Sequence, residues 1–164
     1  MKQEILSDIQ IEQKTNRLAH QIIENCFEEK ELFIAGISGN GYSLAKRLSE
    51  IINEHGLIKS HLTEVKVNKS EPWSEEITLD SEIDGMKNAV VILVDDVVNS
   101  GKTMQFALTK FLTFPTKAIK TVTLVDRKHR RFPIRVDFVG LSLSTTLKER
   151  VEVVMEDAPK AYLV

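Results

Sequence analysis

Ala89-Val90-Val91-Ile92-Leu93-Val94-Asp95-Asp96, continuing as Val97-Val98-Asn99-Ser100-Gly101-Lys102-Thr103, is the stretch from which the fold is read. Its first six residues are apolar and mostly β-branched, with no polar residue on either face. That pattern belongs to a central strand of a parallel sheet, covered on both sides. The strand ends in two carboxylates. Beyond Gly101, the positions Met104, Leu108, Phe111 and Leu112 trace a helix.

Working outward, Leu32-Phe33-Ile34-Ala35-Gly36-Ile37 is a second buried strand that stops at Ser38-Gly39-Asn40-Gly41. Leu44, Leu48, Ile51 and Ile52 then mark a helix closed at His55-Gly56, where glycine supplies a left-handed cap. Further strands are expected over 57–67, 118–125, 137–143 and 151–155. An amphipathic helix over 7–25, capped by Ser7 or Asp8, buries Ile11, Thr15, Leu18, Ala19, Ile22, Ile23 and Cys26. The class is α/β, a central mainly parallel sheet flanked by helices. No internal repeat or linker divides it, so residues 1–164 read as a single domain. Residues 68–88 hold no period and are polar and acidic. Such a loop is a lid or a tolerated surface insertion, and an exposed Trp73 would mark a lid.

The chain has 164 residues, 22 Lys and Arg against 24 Asp and Glu, a formal charge of −2 and 42% hydrophobic residues. A chain of this length buries about two-thirds of its surface on folding. Collagen-like and largely disordered classes are excluded by the composition. The longest apolar run falls far short of the roughly twenty residues that cross a bilayer, and the N-terminus is too polar for a signal peptide. One cysteine forms no internal disulfide, so a soluble protein of a reducing, cytoplasmic compartment is expected. Lys117, Lys120, Arg127, Lys128, Arg130, Arg131 and Arg135 against Asp126 predict a local basic patch.

Ligands of open α/β sheets bind at the carboxyl ends of the strands, which selects 38–41 together with 95–103. Val97, Val98, Asn99, Ser100, Gly101, Lys102 and Thr103 have the parts of a monophosphate cradle: a glycine turn, hydroxyls and the free amides of a helix N-terminus. Gly101-Lys102-Thr103 is not a Walker loop, because that motif needs glycine where Asp96 stands. The segment 36–40 fails the esterase elbow at Asn40, and 39–44 fails the dinucleotide fingerprint at Leu44. Asp95 and Asp96 would repel a polyphosphate held against them but suit neutral hydroxyls. A ribose 5-phosphate offers both groups at the right separation; a helix-capping or Mg²⁺-holding pair is the alternative reading.

The thirteen residues from Val91 to Thr103 resemble the phosphoribosyl-diphosphate (PRPP) signature of type I phosphoribosyltransferases. Arg17-Leu18-Ala19-His20, the segment 41–48, Leu124-Val125-Asp126-Arg127-Lys128-His129-Arg130 and the segment 133–140 are similar, in the same order, to the PyrR family of pyrimidine-operon attenuators. The resemblance implies a type I phosphoribosyltransferase fold with a small hood, and transfer of ribose 5-phosphate from PRPP to a pyrimidine, uracil foremost, with release of diphosphate. It implies that Asp95 and Asp96 hold the ribose hydroxyls and that, within the PRPP-binding segment 97–103, Asn99 to Thr103 hold the 5′-phosphate. Ser38, Gly39, Asn40 and Gly41 would line the diphosphate pocket, and Val139, Gly140 and Leu141 would sit in the hood over the base. Mg²⁺ would be held mainly by substrate oxygens rather than by a protein metal site.

Arg17, His20, Arg130 and Arg135 match family positions that face RNA, and a homo-oligomer, dimer or tetramer, is implied. Where the family loop reads Gly-Ile-Lys-Thr-Arg-Gly, this chain has Gly36-Ile37-Ser38-Gly39-Asn40-Gly41. Both loop cations are absent, which weakens catalysis more than binding and leaves a non-catalytic PRPP- or nucleotide-sensing regulator, bound to RNA or to a protein, as the alternative.

Overall fold

The computed structural model describes residues 1–146 and 149–164. In chain order the elements are β1 (Gln3–Leu6), α1 (Asp8–Asn25), β2 (Glu31–Ile37), α2 (Asn40–His55), β3 (Lys59–Lys66), β4 (Thr78–Leu79), a 3₁₀ turn (Asp84–Met86), β5 (Val90–Val98), α3 (Lys102–Phe111), β6 (Ala118–Asp126), β7 (Phe138–Ser142), β8 (Val151–Val154) and β9 (Lys160–Leu163).

Six strands form one sheet in the order β4-β3-β2-β5-β6-β7, all parallel except the two-residue β4. The chain enters the sheet at β2, adds β3 on one side and then crosses to add β5 on the other. The order therefore reverses between β2 and β5, and a crevice opens at their carboxyl ends. Side chains of a strand alternate between faces. Ile92 and Val94 pack with Ile34 against Leu18, Ile22, Leu44 and Leu48 of α1 and α2. Val91 and Leu93 pack with Ala35 and Ile37 against Met104, Ala107 and Phe111 of α3. Burial on both faces is why β5 reads as an unbroken apolar run.

Local signals set the helix ends. Ser7 caps α1 reciprocally: its Oγ accepts from the amide of Gln10 at 3.3 Å, and its own amide donates to Gln10 Oε1 at 2.9 Å. α2 stops at Gly56, in the left-handed region at φ 85°. The α3 pattern needs one correction. Its buried face is Met104, Ala107 and Phe111, while Leu112 lies past the helix end and is 65% exposed.

A second, antiparallel sheet of order β1-β9-β8 forms the hood. Leu6, Val153, Met155 and Ala161 anchor it in the core beneath α1 and α2. The expected place of Val139, Gly140 and Leu141 in the hood is therefore corrected. They lie in β7 at the edge of the main sheet, with Val139 opposite Thr123 and Leu141 opposite Val125 of β6. The hood is instead built from both ends of the chain. Among the described residues, no helix is long and apolar enough to cross a membrane.

Candidate functional site

Asp95 and Asp96 emerge where β5 reaches the crevice. Asp95 is 4% exposed, and its Oδ1 accepts from the amide of Asp96 at 2.9 Å. Gly41, in the first turn of α2, lies against the same oxygen. A methyl group added there would stand 2.9 Å from Asp95 Oδ1 and 3.1 Å from the carbonyl of Val94, so only glycine lets the loop and the acid approach this closely. Lys69 Nζ stands 3.8 Å from Asp95 Oδ1. Burial pushes the Asp95 carboxyl well above the usual carboxylate range, and the neighbouring charge of Asp96 pushes it the same way.

The segment from Val97 to Thr103 encloses a cavity of about 60 Å³ with Asp95 at its edge. Gly101 caps the ten-residue α3 at φ 85°, where side chains other than glycine are strained, and it packs against Ile134. Ser100 Oγ accepts from the amide of Lys102 at 3.2 Å. The first amides of α3 have no partners within the helix, and its dipole favours an anion at this end.

Part of the stretch expected to form a basic patch is a brace behind this loop, while Lys128, Arg131 and Arg135 stay exposed. The amides of Arg131 and Phe132 both donate to the Ser100 carbonyl, at 2.9 and 3.0 Å, and that of Arg127 to the Val98 carbonyl at 3.0 Å. Arg127 is only 7% exposed. Its guanidinium donates to Asn99 Oδ1 at 3.0 Å, to Thr145 Oγ1 at 2.9 Å and to the carbonyls of Thr146 and Glu149. Arg130 grips the buried Asp126 with two bonds of 2.9 Å and reaches the Asn99 carbonyl at 3.0 Å. Lys117 pairs with Glu29. Arg127 and Arg130 leave the patch for a physical reason: a guanidinium presents several donors in a fixed fork, and here they meet several loop oxygens at once.

The 38–41 loop is of another kind. Ser38 Oγ donates to the Val65 carbonyl of β3 at 3.1 Å, and Asn40 Nδ2 to the Val153 carbonyl of the hood at 2.7 Å. Both side chains are thereby committed to neighbouring strands, and Gly39 turns the chain at φ 91°.

Residues 68–74 lie across the phosphate loop. Lys102 Nζ donates to the Ser70 carbonyl at 3.3 Å and sits 5.9 Å from the centre of the Trp73 ring, which in turn lies 6.4 Å from that of Phe106. Trp73 is 65% exposed, the sign expected of a lid.

The four RNA-facing candidates each have partners of their own. Arg17 donates to the carbonyls of Val139 and Gly140, the latter at 2.7 Å, and so clasps the outer edge of β7. His20 lies one turn further along α1, its ring 5.8 Å from that of His55. Arg135 is exposed and pairs with Asp137 at 2.8 Å, whereas Arg130 belongs to the brace. A cleft of about 520 Å³ lies elsewhere, lined by Asp8, Glu12, Arg47, Glu50 and Asp157 among others. Sequence reasoning missed Lys69, the inward turn of Arg127 and the tie from Asn40 to the hood. None of the three is marked by a motif; each arises from a contact distant in sequence.

Comparison with known proteins agrees with this geometry. The family model described as the phosphoribosyl transferase domain matches residues 2–158. The Bifunctional protein PyrR of Staphylococcus epidermidis is 35% identical over 162 residues, covering 93% of this chain and 91% of the relative. Its counterpart in Clostridium acetobutylicum is 34% identical over 160 residues, covering 93% and 90%. Among solved structures, the hypoxanthine phosphoribosyltransferase of Trypanosoma cruzi superposes with a TM-score of 0.79 at 14% identity, covering 98% of this chain and 95% of the other. A hypoxanthine-guanine phosphoribosyltransferase of Bacillus anthracis gives 0.72 at 23%, covering 87% and 84%. At those identities the structures speak for the fold alone.

Proposed function

Because the chain belongs to the phosphoribosyltransferase family, with PyrR proteins as its relatives, we propose that it binds PRPP and transfers its ribose 5-phosphate to a pyrimidine base, uracil foremost. One observation carries this reading: the acidic tip of β5 continues directly into the phosphate loop, at the point where the strand order reverses and Gly41 closes on Asp95.

Asp95 and Asp96 take the two ribose hydroxyls while the amides of residues 99–103 take the 5′-phosphate. The bond from ribose C1 to the diphosphate oxygen breaks, and its electron pair leaves with the diphosphate. A ring nitrogen of the base gives its lone pair to C1 and sheds its proton. The carboxylates stabilise the positive charge that develops on the ribose, and the 68–88 lid keeps water from C1. Asp95 and Asp96 would stand beside a Mg²⁺ carried mainly by substrate oxygens, where it would neutralise diphosphate charge.

Uracil-dependent release of diphosphate, measured beside calorimetric binding of PRPP, tests this function. Release with binding is expected, and neither would overturn the reading. Binding without release would select a second reading favoured by the neutral 38–41 loop, a regulator that senses PRPP or a nucleotide. RNA is the further partner, met on Arg17, His20 and Arg135. It is tested by a steep fall of affinity with salt as counterions are displaced from its phosphates. Residues 1–164 act as one domain of a cytoplasmic homo-oligomer, a dimer or tetramer, to be checked by solution mass.

A further inference from the structure

The pocket in which the diphosphate would lie poses an electrostatic problem. Asp95 and Asp96 stand on one side of it, and the 38–41 loop on the other has no cationic residue. Its two polar side chains, Ser38 and Asn40, are spent on Val65 and Val153. A diphosphate leaving group would meet amides and carboxylates.

Lys69 stands in this gap. β3 ends against the loop, since Val65 is paired with Ile37 and its carbonyl accepts the amide of Ser38 at 2.9 Å. Three residues on, the chain turns about Asn68, whose Oδ1 accepts the amides of Ser70 at 3.1 Å and Glu71 at 3.0 Å. Lys102 fastens the same turn from the other side, through the Ser70 carbonyl. Lys69 lies inside this fastened turn, and its ammonium is directed at Asp95 Oδ1, the atom against which Gly41 packs.

The ammonium is 3.8 Å from that oxygen, longer than the roughly 2.7–2.9 Å of a charge-assisted hydrogen bond, and its side chain is 48% exposed. It is thus held near the carboxylate without being locked to it. Lysine is suited to such a place, a compact charge with rotatable donors on a flexible stem.

We propose that Lys69 supplies, from the lid, the positive charge that meets the diphosphate of PRPP above a loop built of amides. As the ribose hydroxyls engage Asp95, the ammonium swings from that carboxylate to the diphosphate oxygens and stays there while charge accumulates on them. The proposal rests on the phosphoribosyltransferase reading and adds a residue of this chain to it.

Calorimetric titrations with PRPP, inorganic diphosphate and ribose 5-phosphate separate the possibilities, using the full chain and its Lys69→Gln and Lys69→Arg variants. Lys69→Gln should bind diphosphate and PRPP about 10- to 100-fold more weakly, the loss expected for a hydrogen bond to a charged group. Ribose 5-phosphate should bind it as it binds the wild type, and Lys69→Arg should recover most of the loss. Unchanged PRPP affinity in Lys69→Gln would overturn the proposal. So would an equal loss for ribose 5-phosphate, since Lys69 would then act by seating Asp95 or the phosphate loop. A wild-type chain that binds neither PRPP nor ribose 5-phosphate would remove the phosphoribosyltransferase reading and this proposal with it.

Discussion

Two loops close on the same crevice and are built on opposite plans. The phosphate loop after β5 is braced from behind by a buried guanidinium, a bidentate Arg130–Asp126 pair and three backbone amides. The loop after β2 is held by two neutral side chains bonded to neighbouring strands and by a glycine pressed against an acid. One has guanidinium charge packed behind it; the other is neutral. On the proposed function, the contrast makes gripping a sugar phosphate and stabilising a departing diphosphate separable, because the residues assigned to them lie on different elements.

The sharpest way to break the contrast is to remove the ribose grip. Asp95→Asn with Asp96→Asn should lower PRPP affinity about 100-fold or more, through loss of charge-assisted hydrogen bonds, as read by calorimetry. Asp95→Asn alone should also change stability in a pH-dependent way. Burial raises the Asp95 carboxyl in the folded state, so the folded chain holds a proton that the unfolded chain releases near about pH 4. Stability should therefore fall as pH rises from there towards the raised value, and Asp95→Asn should flatten that slope in urea melts. Ribose hydroxyls favour the ionised carboxylate. PRPP affinity should accordingly rise with pH across the same window in the wild type and not in the variant.

Next in size is the brace. Arg127→Met leaves Asn99 Oδ1 and several carbonyls without their buried donor, and should cost about 3 kcal/mol of stability by chemical denaturation together with weaker 5′-phosphate binding. A smaller, opposite effect is expected from Ser38→Lys with Asn40→Arg. Returning charge to the neutral loop should raise diphosphate release about tenfold, less what is lost with the Asn40 tie to the hood. Smallest is Arg135→Ala, which removes an exposed ion pair and should leave stability within about 0.5 kcal/mol of the wild type. Its effect should instead appear as a shallower salt dependence of RNA binding.

How much of this could be read beforehand depends on the range of the signal. β2, β5 and β6 were legible because burial on both faces writes itself into consecutive residues, and the helix ends because Ser7 and Gly56 act locally. The acidic tip and phosphate loop were legible as one continuous segment. The hood was not: β1 and β9 are four-residue strands from opposite ends of the chain, and neither carries enough pattern to reveal a partner far away in sequence. The basic segment was legible only in part, for a related reason: Lys128, Arg131 and Arg135 are exposed but Arg127 and Arg130 are not. Charge count says nothing about direction, and Arg127 turns inward because Asn99, Thr145 and the carbonyls of Thr146 and Glu149 converge on it.

The pairing of β1 with β9 has a consequence for synthesis. Gln3 is in register with Leu163, so during translation the first strand of the hood waits, without its partner, until residues 160–163 have left the ribosome. Asn40 ties the 38–41 loop to β8, which pairs with β9. That loop should acquire its final shape late, after the parallel sheet has already formed around β5.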